Sequence, residues 1–143
     1  MARIEHFEDL KVWQSARELS KLIYTSTRGQ ELSKDYPLKD QMNRSAGSIM
    51  DNIAEGFDRG GKKELIQFLY IAKGSAAELR SQLYRALDRK YLTDEGFNSL
   101  QTKTIEVGKQ FSGFIKYLKG SELKGSKYAE EPQAEYLPEN FEF

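Results

Sequence analysis

The stretch Gly56-Phe57-Asp58-Arg59-Gly60-Gly61-Lys62-Lys63 comes nearest to a known chemical motif. Glycines five apart followed by lysine form the skeleton of a phosphate-cradling loop, in which backbone N–H groups surround the phosphates and a Ser or Thr hydroxyl binds magnesium. Lys63 stands where that hydroxyl is needed, and the residues before Gly56 have helical periodicity instead of a strand pattern. The stretch therefore predicts a turn between helices. A carboxylate-bridged metal centre, the usual chemistry of a helical bundle, needs inward glutamates with Glu-x-x-His pairs. His6 is the single histidine and precedes the first helix, which rules out those pairs and leaves the helices without a histidine for a triad or a general base. With no cysteine there is no thiolate zinc site, disulfide or cysteine nucleophile. The expectation is a non-enzymatic protein with no cofactor and no metal.

Two other constellations have regular spacing. Gln41, Arg44 or Ser45, Ser48, Asn52 and Glu55 form a polar stripe beside an apolar ridge at Met42, Ala46, Ile49 and Ile53. A solvent face ordinarily carries long charged side chains, so small hydroxyl and amide groups here predict hydrogen bonding between helices. Arg44, Ser48, Asn52 and Glu55, with Ser75 and Glu78, are expected to form a structural polar network. Arg44 and Glu55 lie three turns apart and so need partners from another helix or subunit. Asn43-Arg44-Ser45 also spells a glycosylation sequon, but it falls within a helical pattern and is discounted.

The second constellation is basic. Lys62, Lys73 and Arg80, eleven and seven residues apart, fall within about 20° of one helix line. Arg59, Lys63, Arg85 and Arg89 extend positive charge around the same helix, and Lys109 and Lys116 share a face further along. Arg59, Lys62, Lys63, Lys73, Arg80, Lys109 and Lys116 are the candidate nucleic-acid contacts.

Four helices are needed to position these groups. The first is expected over 9–27, with Asp9 as N-cap and Val12, Ala16, Leu19 and Ile23 buried. The second, over 37–57, starts near Pro37, tolerated in a first turn where its missing N–H has no intrahelical partner. Paired glycines at 60 and 61 break the pattern before a third helix over 62–90, with Leu65, Phe68, Leu69, Ala72, Ala76, Leu79, Leu83 and Ala86 as its buried stripe. Thr93 caps a fourth over 93–119, built on Phe97, Leu100, Val107, Phe111, Phe114 and Leu118, with Gly120 as its stop. Short connections between amphipathic helices favour antiparallel neighbours, hence an all-α, up-and-down four-helix bundle over 1–120.

Charge divides the 143-residue chain unevenly. The totals balance at 22 basic and 22 acidic residues, yet residues 128–143 hold five glutamates and no Lys or Arg. The remainder is therefore +5 and the end segment −5. Residues 121–143, with Pro132 and Pro138, predict an acidic flexible tail. The N-terminal residues lack the apolar core of a signal peptide and no apolar run is long enough for a membrane span, so a cytoplasmic location is expected.

Phe7-Glu8-Asp9-Leu10-Lys11-Val12-Trp13-Gln14-Ser15-Ala16 resembles the opening of the four-helix proteins encoded in 23S rRNA intervening sequences, the "S23 ribosomal protein" family. Gln41-Met42, Arg44-Ser45, Ser48-Ile49 and Asn52-Ile53-Ala54-Glu55-Gly56 resemble the same family, as do Phe68-Leu69-Tyr70-Ile71-Ala72-Lys73-Gly74-Ser75 and Glu78-Leu79. The resemblance implies a four-helix protomer assembled as a cyclic homopentamer. It also implies kinship with the accessory variability determinant of diversity-generating retroelements, which binds nucleic acid through a basic pentamer. The chain departs from the family pattern at Gly60-Gly61-Lys62-Lys63 and in its acidic tail. The expected function is that of an oligomeric helical protein binding structured RNA or DNA, or a nucleic-acid enzyme. The alternative is an assembly module without direct nucleic-acid contact.

Overall fold

A computed structural model describes residues 4–122, with side chains through Gly120. Its four α-helices are α1 (Lys11–Thr27), α2 (Tyr36–Asp58), α3 (Lys62–Asp88) and α4 (Asp94–Glu122). Each packs on its neighbour in sequence, and α4 closes the ring against α1. This is an up-and-down four-helix bundle. The expected flexible tail lies outside the described residues from position 123 onward.

The apolar ridges read from the sequence meet in one core. Val12, Ala16, Leu19 and Ile23 of α1 face Leu38, Met42, Ala46, Ile49 and Ile53 of α2, the aliphatic stripe of α3, and Phe111, Phe114 and Leu118 of α4. Phe68 is only half-buried, because it lies at the edge of the α2–α3 seam. That seam is unusually close at Gly56. A Cβ added there would lie 2.6 Å from Phe68 Cβ and 3.3 Å from Leu65 Cδ1. Glycine is what lets the two backbones approach.

Helix ends differ from expectation in three places. Asp9 does not cap α1: it belongs to a 3-10 turn over Phe7–Asp9, and Leu10 takes the N-cap position with no side-chain cap. Leu10 is fully buried, and this anchor fixes how the chain enters the helix, leaving the Asp9 carboxylate outside it. Gly120 does not stop α4, which continues to Glu122. Glycine in a helix interior costs only about 1 kcal/mol, and buried Leu118 holds the last turns in place. Helix α3 ends at Asp88, and Lys90 adopts a left-handed φ of 62°. There Lys90 N–H donates to the Leu87 carbonyl and Tyr91 N–H to that of Ala86, both at 2.9 Å. The pair is a Schellman cap with lysine where glycine is usual.

Thr93 Oγ1 accepts from Gly96 N–H at 3.0 Å and caps α4. Asp35 caps α2 by accepting from Leu38 N–H at 3.3 Å. Its other oxygen accepts from Arg89 Nη1 at 2.8 Å and Tyr91 Oη at 2.9 Å. One carboxylate thus joins the α1–α2 and α3–α4 connections. The Tyr91 hydroxyl, before all other influences, holds the Asp35 pKa below its usual 3.8. The same contact raises Tyr91 above 10.0.

Candidate anion-binding groove

Antiparallel packing of α3 and α4 determines which of the basic residues meet. Lys119 Nζ donates to Tyr70 Oη at 2.6 Å and sits 4.9 Å from the centre of its ring. Asp88 and Asp94 face each other at the α3–α4 connection, Tyr84 packs on Phe97, and Gln101 Nε2 donates to the Arg80 carbonyl at 3.3 Å, a register that brings Lys73 level with Lys109. Arg80 and Lys116 then lie about 10 Å to either side along the helix axes. All four cations line a single groove of about 430 Å³.

The floor of the groove is made of small groups: Ala76 and Ala77 from α3, and Gly108, Ser112 and Gly113 from α4, with Ile105 adding an apolar wall. Nothing lies within 4 Å of a Cβ added at Gly108. No acidic residue lines the groove. Among the described residues none of its four cations forms an ion pair. Tyr70 marks one end, and Tyr84 lies towards the other, 4.9 Å from Phe97 between ring centres. The two tyrosines are 46 % and 52 % exposed, offering ring surface beside the charges.

The other candidate cations lie elsewhere. Arg59, Lys62 and Lys63 stand at the α2–α3 connection, beyond the groove. Arg59 donates to Glu55 Oε2 at 2.7 Å and lies over the Phe68 ring at 5.1 Å. Arg85 donates to Gln41 Oε1 at 2.8 Å, and Arg89 is held by Asp35, so both are engaged with α2 or its cap.

The polar stripe divides in the same way. Ser48 Oγ and Ser75 Oγ are 2.9 Å apart across the α2–α3 seam. Asn52 Nδ2 donates to the Ser48 carbonyl at 2.8 Å and to Ser48 Oγ at 2.9 Å. Glu55 pairs with Arg59 on its own helix instead of reaching another, because the one-turn spacing and an exposed face bring that guanidinium first. Arg44 and Glu78 are exposed and take no part in the Ser48–Ser75–Asn52 cluster. Asn43, the sequon asparagine, donates to Thr27 Oγ1 at 2.9 Å and ties α1 to α2.

A family model described as 23S rRNA-intervening sequence protein matches residues 8–113. The chain belongs to that family. Among solved structures, the chain is similar to a protein of unknown function from the S23 ribosomal protein family of Bacteroides thetaiotaomicron. The two share 26 % identity with a TM-score of 0.67, over 73 % of this chain and 98 % of the other. No curated protein shows significant sequence similarity to it. Among the described residues, no helix is long and apolar enough to cross a membrane. Nor does any group of three or more His, Cys, Asp or Glu among them form a potential metal site.

The groove was only half visible in the sequence. Lys73 with Arg80, and Lys109 with Lys116, were each readable as a row. What escaped was their meeting, and the signal for it was register: with a short connection joining Asp88 to Asp94, Lys73 and Lys109 stand opposite each other. The Asp35 junction left no comparable trace, since its partners are more than fifty positions away.

Proposed function

We propose that this protein is a non-enzymatic, oligomeric scaffold that binds structured RNA or DNA along the α3–α4 groove. The observation carrying this reading is the set of Lys73, Arg80, Lys109 and Lys116 around a floor of small residues with no acid among the lining groups. Cations left without internal ion-pair partners can exchange their counterions for phosphates, which supplies most of non-specific nucleic-acid affinity. The small floor lets a backbone approach closely. Exposed Tyr70 and Tyr84 offer faces for unstacked bases.

Assembly into the ring that the family likeness implies would repeat the groove around an axis. Exposed Tyr24, Tyr36, Tyr70, Ile71 and Tyr84 supply apolar area for such packing. Those residues also favour the second reading, an assembly module that holds copies together without touching nucleic acid.

Titrating a labelled RNA hairpin by fluorescence anisotropy across a salt series tests the first reading. Reversing charge in the groove with Lys73→Glu and Arg80→Glu should weaken binding and flatten the dependence of log affinity on log salt. The slope falls by about 0.7–0.9 for each phosphate that is no longer neutralised. Reversal at Arg59 and Lys63, outside the groove, serves as the comparison. Equal weakening by the two double variants would remove the groove as the site. No binding to RNA or DNA by the parent protein would leave the assembly reading in place.

A further inference from the structure

The groove runs along α4 as far as Lys116, near the end from which the chain leaves the bundle. Lys116 is six residues before Glu122, so it lies about 9 Å back along the helix axis, and Lys109 about 20 Å back. Beyond the described residues the chain continues to position 143, and residues 128–143 carry Glu130, Glu131, Glu135, Glu139 and Glu142 with no Lys or Arg. Glu130 lies eight positions beyond Glu122, a stretch that spans up to about 27 Å, so the first acids can double back to Lys116. The later acids have chain to spare for Lys109, for Lys73 beside it and for Arg80. The charges are complementary in sign and close in number: four groove cations and five segment acids. The segment also carries Tyr136, Phe141 and Phe143, aromatic groups that match a floor of alanine, glycine and isoleucine.

We propose that residues 128–143, from the same or a neighbouring copy, dock in the α3–α4 groove and compete there with nucleic acid. The inference rests on the groove being the polyanion site. Docking makes the empty protein self-neutralised, and a phosphate chain must displace the segment to bind. A tethered competitor acts at the high effective concentration set by its short link, so even weak individual interactions give measurable occupancy. Because its charges are screened over about 8 Å at physiological ionic strength, docking weakens as salt rises.

Zero-length carbodiimide cross-linking of the full chain, without nucleic acid, tests the docking directly. At low salt, mass spectrometry should find amide bonds from the 128–143 glutamates to Lys73, Lys109 and Lys116, and heparin should suppress them. Cross-links from these glutamates confined to lysines outside the groove, or none at all, would overturn the proposal. In the second arm, the full chain with all five glutamates changed to Gln should bind an RNA hairpin roughly two- to tenfold more tightly at low salt. Equal affinity of parent and neutralised chain would overturn the competition. The two readings fail separately. Groove-dependent RNA binding without cross-links removes only the docking, whereas cross-links in a protein that binds no RNA keep the docking and remove the nucleic-acid reading along with the competition built on it.

Discussion

The close approach at Gly56 makes one substitution change sign along a single helix. Gly47 and Gly56 both lie within α2. A Cβ added at Gly47 meets nothing within 4 Å. Gly47→Ala therefore keeps only the helix-propensity gain, about 0.5–1 kcal/mol of added stability. At Gly56 the new Cβ stands 2.6 Å from Phe68 Cβ, 0.8 Å inside the 3.4 Å where ordinary contact begins. Phe68 Cβ sits on the α3 backbone and cannot rotate away, so α3 must move off α2. Overpacking of this kind costs about 1–3 kcal/mol, leaving a net change between about zero and about 2.5 kcal/mol of destabilisation after the propensity gain. The Ser48–Ser75 hydrogen bond at 2.9 Å spans the same seam and is stretched by the same movement. Urea unfolding of the parent and both variants, compared at the same slope, gives the differences directly. Stabilisation by both alanines would refute the argument that α2 and α3 are in backbone-limited contact.

Lys90→Gly should raise stability by about 1 kcal/mol in the same assay, since the left-handed φ of 62° penalises a side chain; no gain would mean that lysine makes an offsetting interaction. Asn52→Leu should destabilise by removing two hydrogen bonds to Ser48, while Glu55→Leu, which breaks only an exposed pair, should stay within about 0.5 kcal/mol. Asp35 has a depressed pKa when folded, so its contribution is complete above the unfolded value of 3.8 and is lost as pH falls through the folded one. Asp35→Asn should thus lower the urea midpoint near neutrality and reduce the fall between neutrality and the acid side of pH 3.8. Tyr91 is shifted the opposite way: its contribution is complete below 10.0 and is lost as pH rises through the folded pKa. Tyr91→Phe should remove that alkaline fall. Sedimentation equilibrium should give a mass near five protomers; a monomer at micromolar concentration would remove the ring from the proposed assembly.

The helices were legible because their ridges have one period and their breaks have chemical causes. Val12, Ala16, Leu19 and Ile23 could face only a core, and Gly60-Gly61 could hardly continue a helix; Gly60 takes a φ of 82°. Capping was harder to read, because Asp9 competes with a buried Leu10 for the same chain entry and burial prevails. The polar stripe was readable as a face but not as partners: Ser48 and Ser75 meet only once α2 and α3 are in register, while Glu55 found Arg59 one turn away. The groove required the same long-range information. Its charges were visible in the sequence, whereas its floor of alanine and glycine resembled any other tolerant helix surface.

That floor has a consequence whenever the trough holds neither the acidic segment nor nucleic acid. Four positive charges held around a shallow trough, with no acid lining it, repel one another. In water, two unit charges about 10 Å apart cost about 0.4 kcal/mol before screening. The bundle therefore carries a small internal pressure that any occupying anion relieves. Where neither the acidic segment nor a polyanion fills the trough, added salt should make this fold harder to melt, the reverse of a protein held by surface ion pairs. A polyanion seated there should register as a rise in melting temperature that grows with its concentration. Thermal stability becomes a gauge of occupancy, readable without knowing the occupant.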